Sequence, residues 1–130
     1  MVSVMELRRR VMMQSVSQPQ DENLIHVDEL LDNTVWWNAN CLTGYNGWCT
    51  TPKIPVIPGE TYTLQRDSRD QNGSGQSYVS MFDSSQSFLR KANWQDSRFG
   101  GWTGQIDSDV YYVGITIGMT YKDTAVFKKV

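Results

Sequence analysis

The chain of 130 residues is one domain's worth, long enough to bury a core without disulfide staples. Its 12 basic and 14 acidic residues leave a net charge of -2, which gives no electrostatic footprint for nucleic acid. No apolar run approaches membrane-spanning length, so no membrane insertion is expected.

Residues 2–14 (VSVMELRRRVMMQ) form the one segment with a helical period. Val4, Leu7 and Val11 recur at i, i+3 and i+7, and Ser3 with Glu6 reads as a capping box. A helix of about three turns is too short to stand alone, so it must dock on its own domain, on copies of itself or on a partner. Self-association is the expectation, with Val4, Leu7 and Val11 as oligomerisation residues of a homotrimer. Arg8, Arg9 and Arg10 interrupt what a secretory leader would keep apolar, so no signal peptide is expected and cell lysis would serve for release. Residues 15–23 (SVSQPQDEN) are polar, contain Pro19 and read as a linker. The expected division is a helix and linker over 1–22 and a second unit over 23–130.

From Leu24 onward the signals are those of strands. Residues 24–27 are short and apolar, 28–32 fit a helical turn or a loop, and 34–37 are β-rich. Residues 38–47 read as a Gly/Asn loop around Cys41. Residues 50–66 (TTPKIPVIPGETYTLQR) are the organising stretch: a strand through Ile54 and Val56, a Pro58-Gly59 corner, and a second strand through Tyr62 and Leu64. Pro55 and Pro58 cannot donate to a ladder, so the first of these strands belongs at a sheet edge or a bulge. After a polar loop over 67–75, residues 76–82 carry apolar side chains on both faces, as in a strand covered on both sides. Residues 87–90 return, 91–104 are ambiguous, and 110–118 are the strongest strand, with Tyr111, Val113, Ile115 and Ile117 on one face. Residues 125–130 close the chain. About eight closely spaced strands without a second helix predict an all-β fold, an antiparallel β-sandwich or jelly roll behind a short N-terminal α-helix.

Several of these stretches are similar to a known family: Asn23-Leu24-Ile25, the run from Ile54 to Leu64, Val79-Ser80-Met81-Phe82-Asp83, and Tyr112-Val113-Gly114-Ile115. They resemble the carbohydrate-binding-module-like jelly-roll domains of phage and prophage tail proteins, receptor-binding and baseplate proteins among them. The likeness spans about four-fifths of the chain, from Asn23 onward, and Glu6 to Met13 resembles a short helical piece of such proteins. The resemblance implies a non-enzymatic role in a virion tail, assembled in the host cytoplasm, in glycan recognition or in assembly with other tail proteins. It carries over no binding position by name.

The residues themselves give little reason to expect catalysis. His26 is the only histidine, and no nucleophile, phosphate-loop or paired-histidine motif is present. The carboxylate pairs Asp107 with Asp109 and Asp28 with Glu29 sit in polar turns, where solvated charge is the ordinary state. Cys41 and Cys49 make a poor zinc set; they would close a small loop if paired, and free thiols are favoured in a chain without a leader. No cofactor is expected, although Asp28, Asp32 and Asp123 are conceivable ligands of a structural calcium.

The five tryptophans are the unusual feature. Trp36 and Trp37 are adjacent in one strand, so one faces in and the other out. An indole offers a flat face to the C–H side of a sugar, and neighbouring amides and charges bond its hydroxyls. Trp37, Trp48, Trp94 and Trp102, with Tyr45, Asn46 and Asp96, are the candidate glycan-binding residues. The alternative is that these rings plug the sandwich or fill subunit contacts. The favoured expectation is a phage-tail module binding a host-surface glycan; next comes a purely structural virion protein, and third an accessory module of a secreted glycan-active enzyme.

Overall fold

The alternation through Val113, Ile115 and Ile117 sets the architecture. The computed structural model describes residues 22–65, 79–92 and 102–130, and in it these three side chains are fully buried. Among the described residues the strands are β1 (Leu31–Asp32), β2 (Thr34–Trp37), β3 (Asn40–Thr43), β4 (Trp48–Thr50), β5 (Ile54–Pro55), β6 (Thr61–Gln65), β7 (Val79–Phe82), β8 (Phe88–Ala92), β9 (Trp102–Gln105), β10 (Tyr112–Gly118) and β11 (Val126–Lys129). All pairings between them are antiparallel. The larger sheet runs β1-β4-β10-β7-β8, the smaller β11-β6-β9, and β2 with β3 forms a separate hairpin. The described residues therefore form a mostly β, sandwich-like fold.

β10 is the spine of the larger sheet. β7 takes one edge, while β4 and β5 share the other, opposite the two ends of β10. Pro52 lies between β4 and β5, and there Thr51 bridges the broken ladder. Its N–H donates to Ile115 O at 2.9 Å and its hydroxyl accepts from Ile115 N at 3.0 Å. The inner face of this sheet (Cys49, Ile54, Val79, Met81, Val113, Ile115, Ile117) meets Tyr62, Leu64 and Phe127 of the smaller sheet in one core. Tyr62 stacks on Phe127 at 5.2 Å. Each such fully buried side chain contributes about 1.5–3 kcal/mol of apolar burial, which makes this core the main source of stability.

The Pro58-Gly59 corner forms as expected, but it does not close a hairpin. It carries the chain from β5 in the larger sheet to β6 in the smaller one. Gly59 takes the positive φ of 85° that the turn needs after a proline, and Glu60 N donates to Ile57 O at 3.2 Å. The Tyr62 hydroxyl accepts from Ile57 N at 3.0 Å, bracing the corner from inside. Burial pushes the Tyr62 phenol above its usual pKa, so it stays neutral in that role.

Two local expectations are corrected. Residues 24–27 are no strand: Asn23 Oδ1 accepts from Ile25 N and Phe127 N, and Asn23 Nδ2 donates to Ala125 O, so a side chain substitutes for ladder bonds. A 3-10 turn over Val27–Glu29 follows. The stretch 38–47 is not all loop, because β3 pairs back on β2 across a two-residue turn in which Asn38 adopts a φ of 56°. The stretch 91–104, left undecided by the sequence, holds the end of β8 and most of β9, at the edge of the smaller sheet. The expected helix over 2–14 with Val4, Leu7 and Val11, the loop over 67–75, Trp94 and Asp96 lie outside the described residues.

Cys41 and Cys49 are free thiols. Cys49 points into the core from β4 while Cys41 meets the neighbouring Thr50 hydroxyl at 3.2 Å, so the two approach β4 from opposite faces. Burial, with help from the nearby charge of Asp32, pushes the Cys49 thiol up to about 11. At neutral pH it is a protonated, hydrophobic core group.

Candidate functional site

The outer face of the larger sheet is where the aromatic residues gather. Alternation along β10 and β7 sends Gly114, Thr116, Ser80 and Phe82 to this face, opposite the core residues between them. Hairpin β2–β3 lies across it, pinned by Trp36. The Trp36 backbone N–H donates to Thr116 Oγ1 at 2.9 Å, and its indole N–H donates to Thr51 O at 2.9 Å. The ring occupies a slot above Gly114, where a Cβ would stand only 2.4 Å from Trp36 Cε2. Only glycine leaves room for it.

Hydroxyls complete the seam. Thr34 Oγ1 donates to Leu31 O at 2.6 Å and so accepts from Thr50 Oγ1, 2.7 Å away. A line of rings runs from Trp36 to Phe82 (5.4 Å, edge-on) and on to Phe88 (6.1 Å, edge-on). Two ammonium groups sit over rings here: Lys53 Nζ is 4.5 Å from the Phe82 centroid, and Lys91 Nζ is 3.9 Å from that of Trp37. Lys53 also donates to Gln86 O at 3.1 Å.

Trp37 is 47% exposed at the tip of the hairpin, beside the exposed Asn38 and Asn40. The in-and-out reading of the tryptophan pair holds: Trp36 is buried and Trp37 faces water. A flat apolar ring, side-chain amides and a nearby ammonium supply the stacking surface and hydrogen-bond donors that a polyhydroxylated ligand needs.

The other candidates lie elsewhere. Tyr45 and Asn46 are exposed and Trp48 is half-buried at the opposite end of the hairpin, on the order of 10 Å along the strands from Trp37. That turn is held by Tyr45 N to Asn33 O at 3.1 Å and Trp48 N to Tyr45 O at 3.3 Å. Trp102 is half-buried against the core, opposite Leu64 on β6, with its ring over Gly104. The candidates therefore form separate groups: Trp37 is joined by Lys91, while Lys53, Phe82 and Phe88 continue the line of rings from Trp36. Sequence reasoning missed these four because cross-strand register assembles them; the apolar faces of 76–82 were the one available signal.

Asp107, Asp109 and Asp32 are engaged in ion pairs. Arg90 on β8 reaches Asp107 Oδ2 at 2.6 Å and Asp109 at 2.8 and 3.0 Å. Its guanidinium holds the Asp109 carboxyl below the usual carboxylate range. Glu29 Oε1 bonds His26 Nδ1 at 2.8 Å on the surface. Asp32 lies 3.9 Å from Lys122 Nζ, and among the described residues no three His, Cys, Asp or Glu side chains are grouped to hold a metal ion. Because the folded-state pKa of Asp109 is depressed, the Arg90 contribution is present above the ordinary carboxylate pKa and is lost as pH falls through the lowered value. Arg90→Gln is thus expected to unfold at slightly lower urea than wild type at neutral pH, the gap narrowing as the pH is lowered far enough for Asp109 to take up its proton. A gap that does not change with pH would show that the pairing is not responsible.

No family model matches the chain, and neither the curated proteins nor the solved structures give a significant match.

Proposed function

We propose that the chain is a non-catalytic jelly-roll module of a phage or prophage tail, carried in the virion, that binds a host-surface glycan. The observation that carries this reading is Trp37: a large ring about half exposed at a hairpin tip, while the adjacent Trp36 fixes that hairpin to the sheet. A preorganised aromatic platform beside amides and an ammonium suits a sugar's mixed apolar and hydroxyl surface. The pairing of Asp109 with Arg90 counts against that carboxyl as a glycosidase acid, which needs a raised pKa, because Arg90 drives it the other way. Tyr45, Asn46 and Trp48 form a second, weaker patch in this reading.

A glycan array with wild type and Trp37→Ala tests the proposal. Binding by wild type that Trp37→Ala abolishes supports it, and no binding by wild type overturns it. The second reading, a structural tail protein, is favoured by a different observation: Val27 and Leu31 expose apolar side chains beside and on the short edge strand β1, as a subunit contact would use. Either way a trimer through Val4, Leu7 and Val11 is proposed. Light scattering is expected to give a trimer for the full chain and a monomer for a chain beginning at Asp21; equal stoichiometry would end that idea.

A further inference from the structure

We propose that Asn46 is a self-modification site, whose side-chain amide is converted spontaneously to aspartate and isoaspartate in the folded chain. The proposal stands apart from the glycan reading, although Asn46 belongs to the patch of Tyr45 and Trp48.

Trp48 N donates to Tyr45 O at 3.3 Å, so residues 45–48 close a four-residue turn. Gly47, at its third position, has a φ of 90°, and Asn46 before it is not among the residues of positive φ. That combination is a type II turn, in which the third residue favours glycine. The closing bond leaves the Gly47 N–H out of it. Among the described residues neither that N–H nor the Asn46 side-chain amide has a hydrogen-bond partner, and Asn46 is exposed. A Cβ placed on Gly47 would meet no atom within 4 Å, so the Asn46–Gly47 peptide stands in open space. The flanks of the turn are held. Gly47 O accepts from Met119 N at 2.9 Å, and Trp48 O accepts from Asn33 N at 2.7 Å.

A nucleophile and an electrophile therefore sit on adjacent residues, on an amide of the thermolabile kind. When the Gly47 N–H gives its proton to hydroxide, the nitrogen attacks Asn46 Cγ. The N–Cγ bond forms, the Cγ–Nδ2 bond breaks, and Nδ2 leaves as ammonia, which closes a succinimide ring. Water then opens the ring at either carbonyl. Addition at Cγ gives aspartate; addition at the main-chain carbonyl carbon gives isoaspartate. Water is consumed and ammonia released, and no oxidant or reductant takes part. Glycine hinders the attack least, because no Cβ stands beside its nitrogen. Among the described asparagines only Asn46 precedes a glycine: Leu24, Thr34, Ala39 and Cys41 follow Asn23, Asn33, Asn38 and Asn40. The Asn23 side chain is also tied to Ile25, Ala125 and Phe127. Isoaspartate adds a CH2 to the main chain between the bonds to Tyr45 and Met119, so the turn loses its closing geometry. Aspartate adds only charge.

Peptide mapping of the folded protein, incubated at mildly alkaline pH, tests the proposal with fragmentation that separates aspartate from isoaspartate. Residue 46 is expected to lose its amide several-fold faster than Asn23, Asn33, Asn38 or Asn40, and faster still as pH rises. Asn46→Gln, whose longer side chain would have to close a larger ring, is expected to keep its amide. The isoaspartate form is expected to unfold at lower urea than fresh protein, whereas Asn46→Asp unfolds with wild type, which separates the added CH2 from the added charge. Retention of the amide in the folded chain, while a synthetic peptide of residues 43–50 converts, would show that the turn shields the site and overturns the proposal. Loss at the other four asparagines as fast as at Asn46 overturns it as well.

Discussion

Replacing Trp36 by alanine is expected to lower the unfolding free energy by about 3–5 kcal/mol. The substitution removes a buried ring, empties the slot above Gly114 and leaves Thr51 O without its indole donor. Phe82 loses its edge-on neighbour as well. Because the hairpin shares no ladder with either sheet among the described strands, its attachment rests on side chains, and Trp36 is the largest of them, beside the Thr34 and Cys41 contacts with Thr50. Gly114→Ala attacks the same joint from below: a methyl group 2.4 Å from the ring cannot coexist with it. That overpacking is expected to cost about 1–3 kcal/mol. Urea unfolding followed by circular dichroism measures both. Changes within about 0.5 kcal/mol of wild type, the range of an ordinary surface substitution, would show that the hairpin is not pinned in this way.

Trp37→Ala is expected to do the reverse. It should leave stability within about 1 kcal/mol of wild type, since the ring lies at the hairpin tip outside the core, and weaken glycan binding by about 30-fold or more, the loss of a central aromatic contact. Two neighbours in sequence thus separate cleanly, one holding the platform and the other forming it. Trp102→Ala is the useful contrast, because its ring packs against the core over Gly104. Its expected signature is lost stability with unchanged affinity, read by the same urea melts and by titration calorimetry.

How far the sequence carried this picture follows from which interactions are local. The alternation in β10 and the two-faced burial of β7 were legible because a strand's period of two records which side is wet. The Pro58-Gly59 turn was legible from its dipeptide, but its destination was not. A corner between sheets and a hairpin turn use the same residues, and only the partner strands distinguish them. β3 was hidden because Asn40, Cys41, Leu42 and Thr43 show no clean alternation; it exists through pairing with β2 rather than through a buried face. At the candidate site, the opposed orientation of Trp36 and Trp37 could be read from adjacency alone. Lys91 over Trp37 could not, since it depends on register between segments far apart in the chain.

The most direct test follows the indole N–H signals of the five tryptophans by NMR while a glycan identified on the array is titrated in. The Trp37 signal is expected to move to saturation with the ligand, while that of Trp36, locked onto Thr51 O, stays in place. A Trp37 signal that remains still at saturation, with the response confined to Trp48 or Trp102, would contradict the assignment of the hairpin tip as the binding platform.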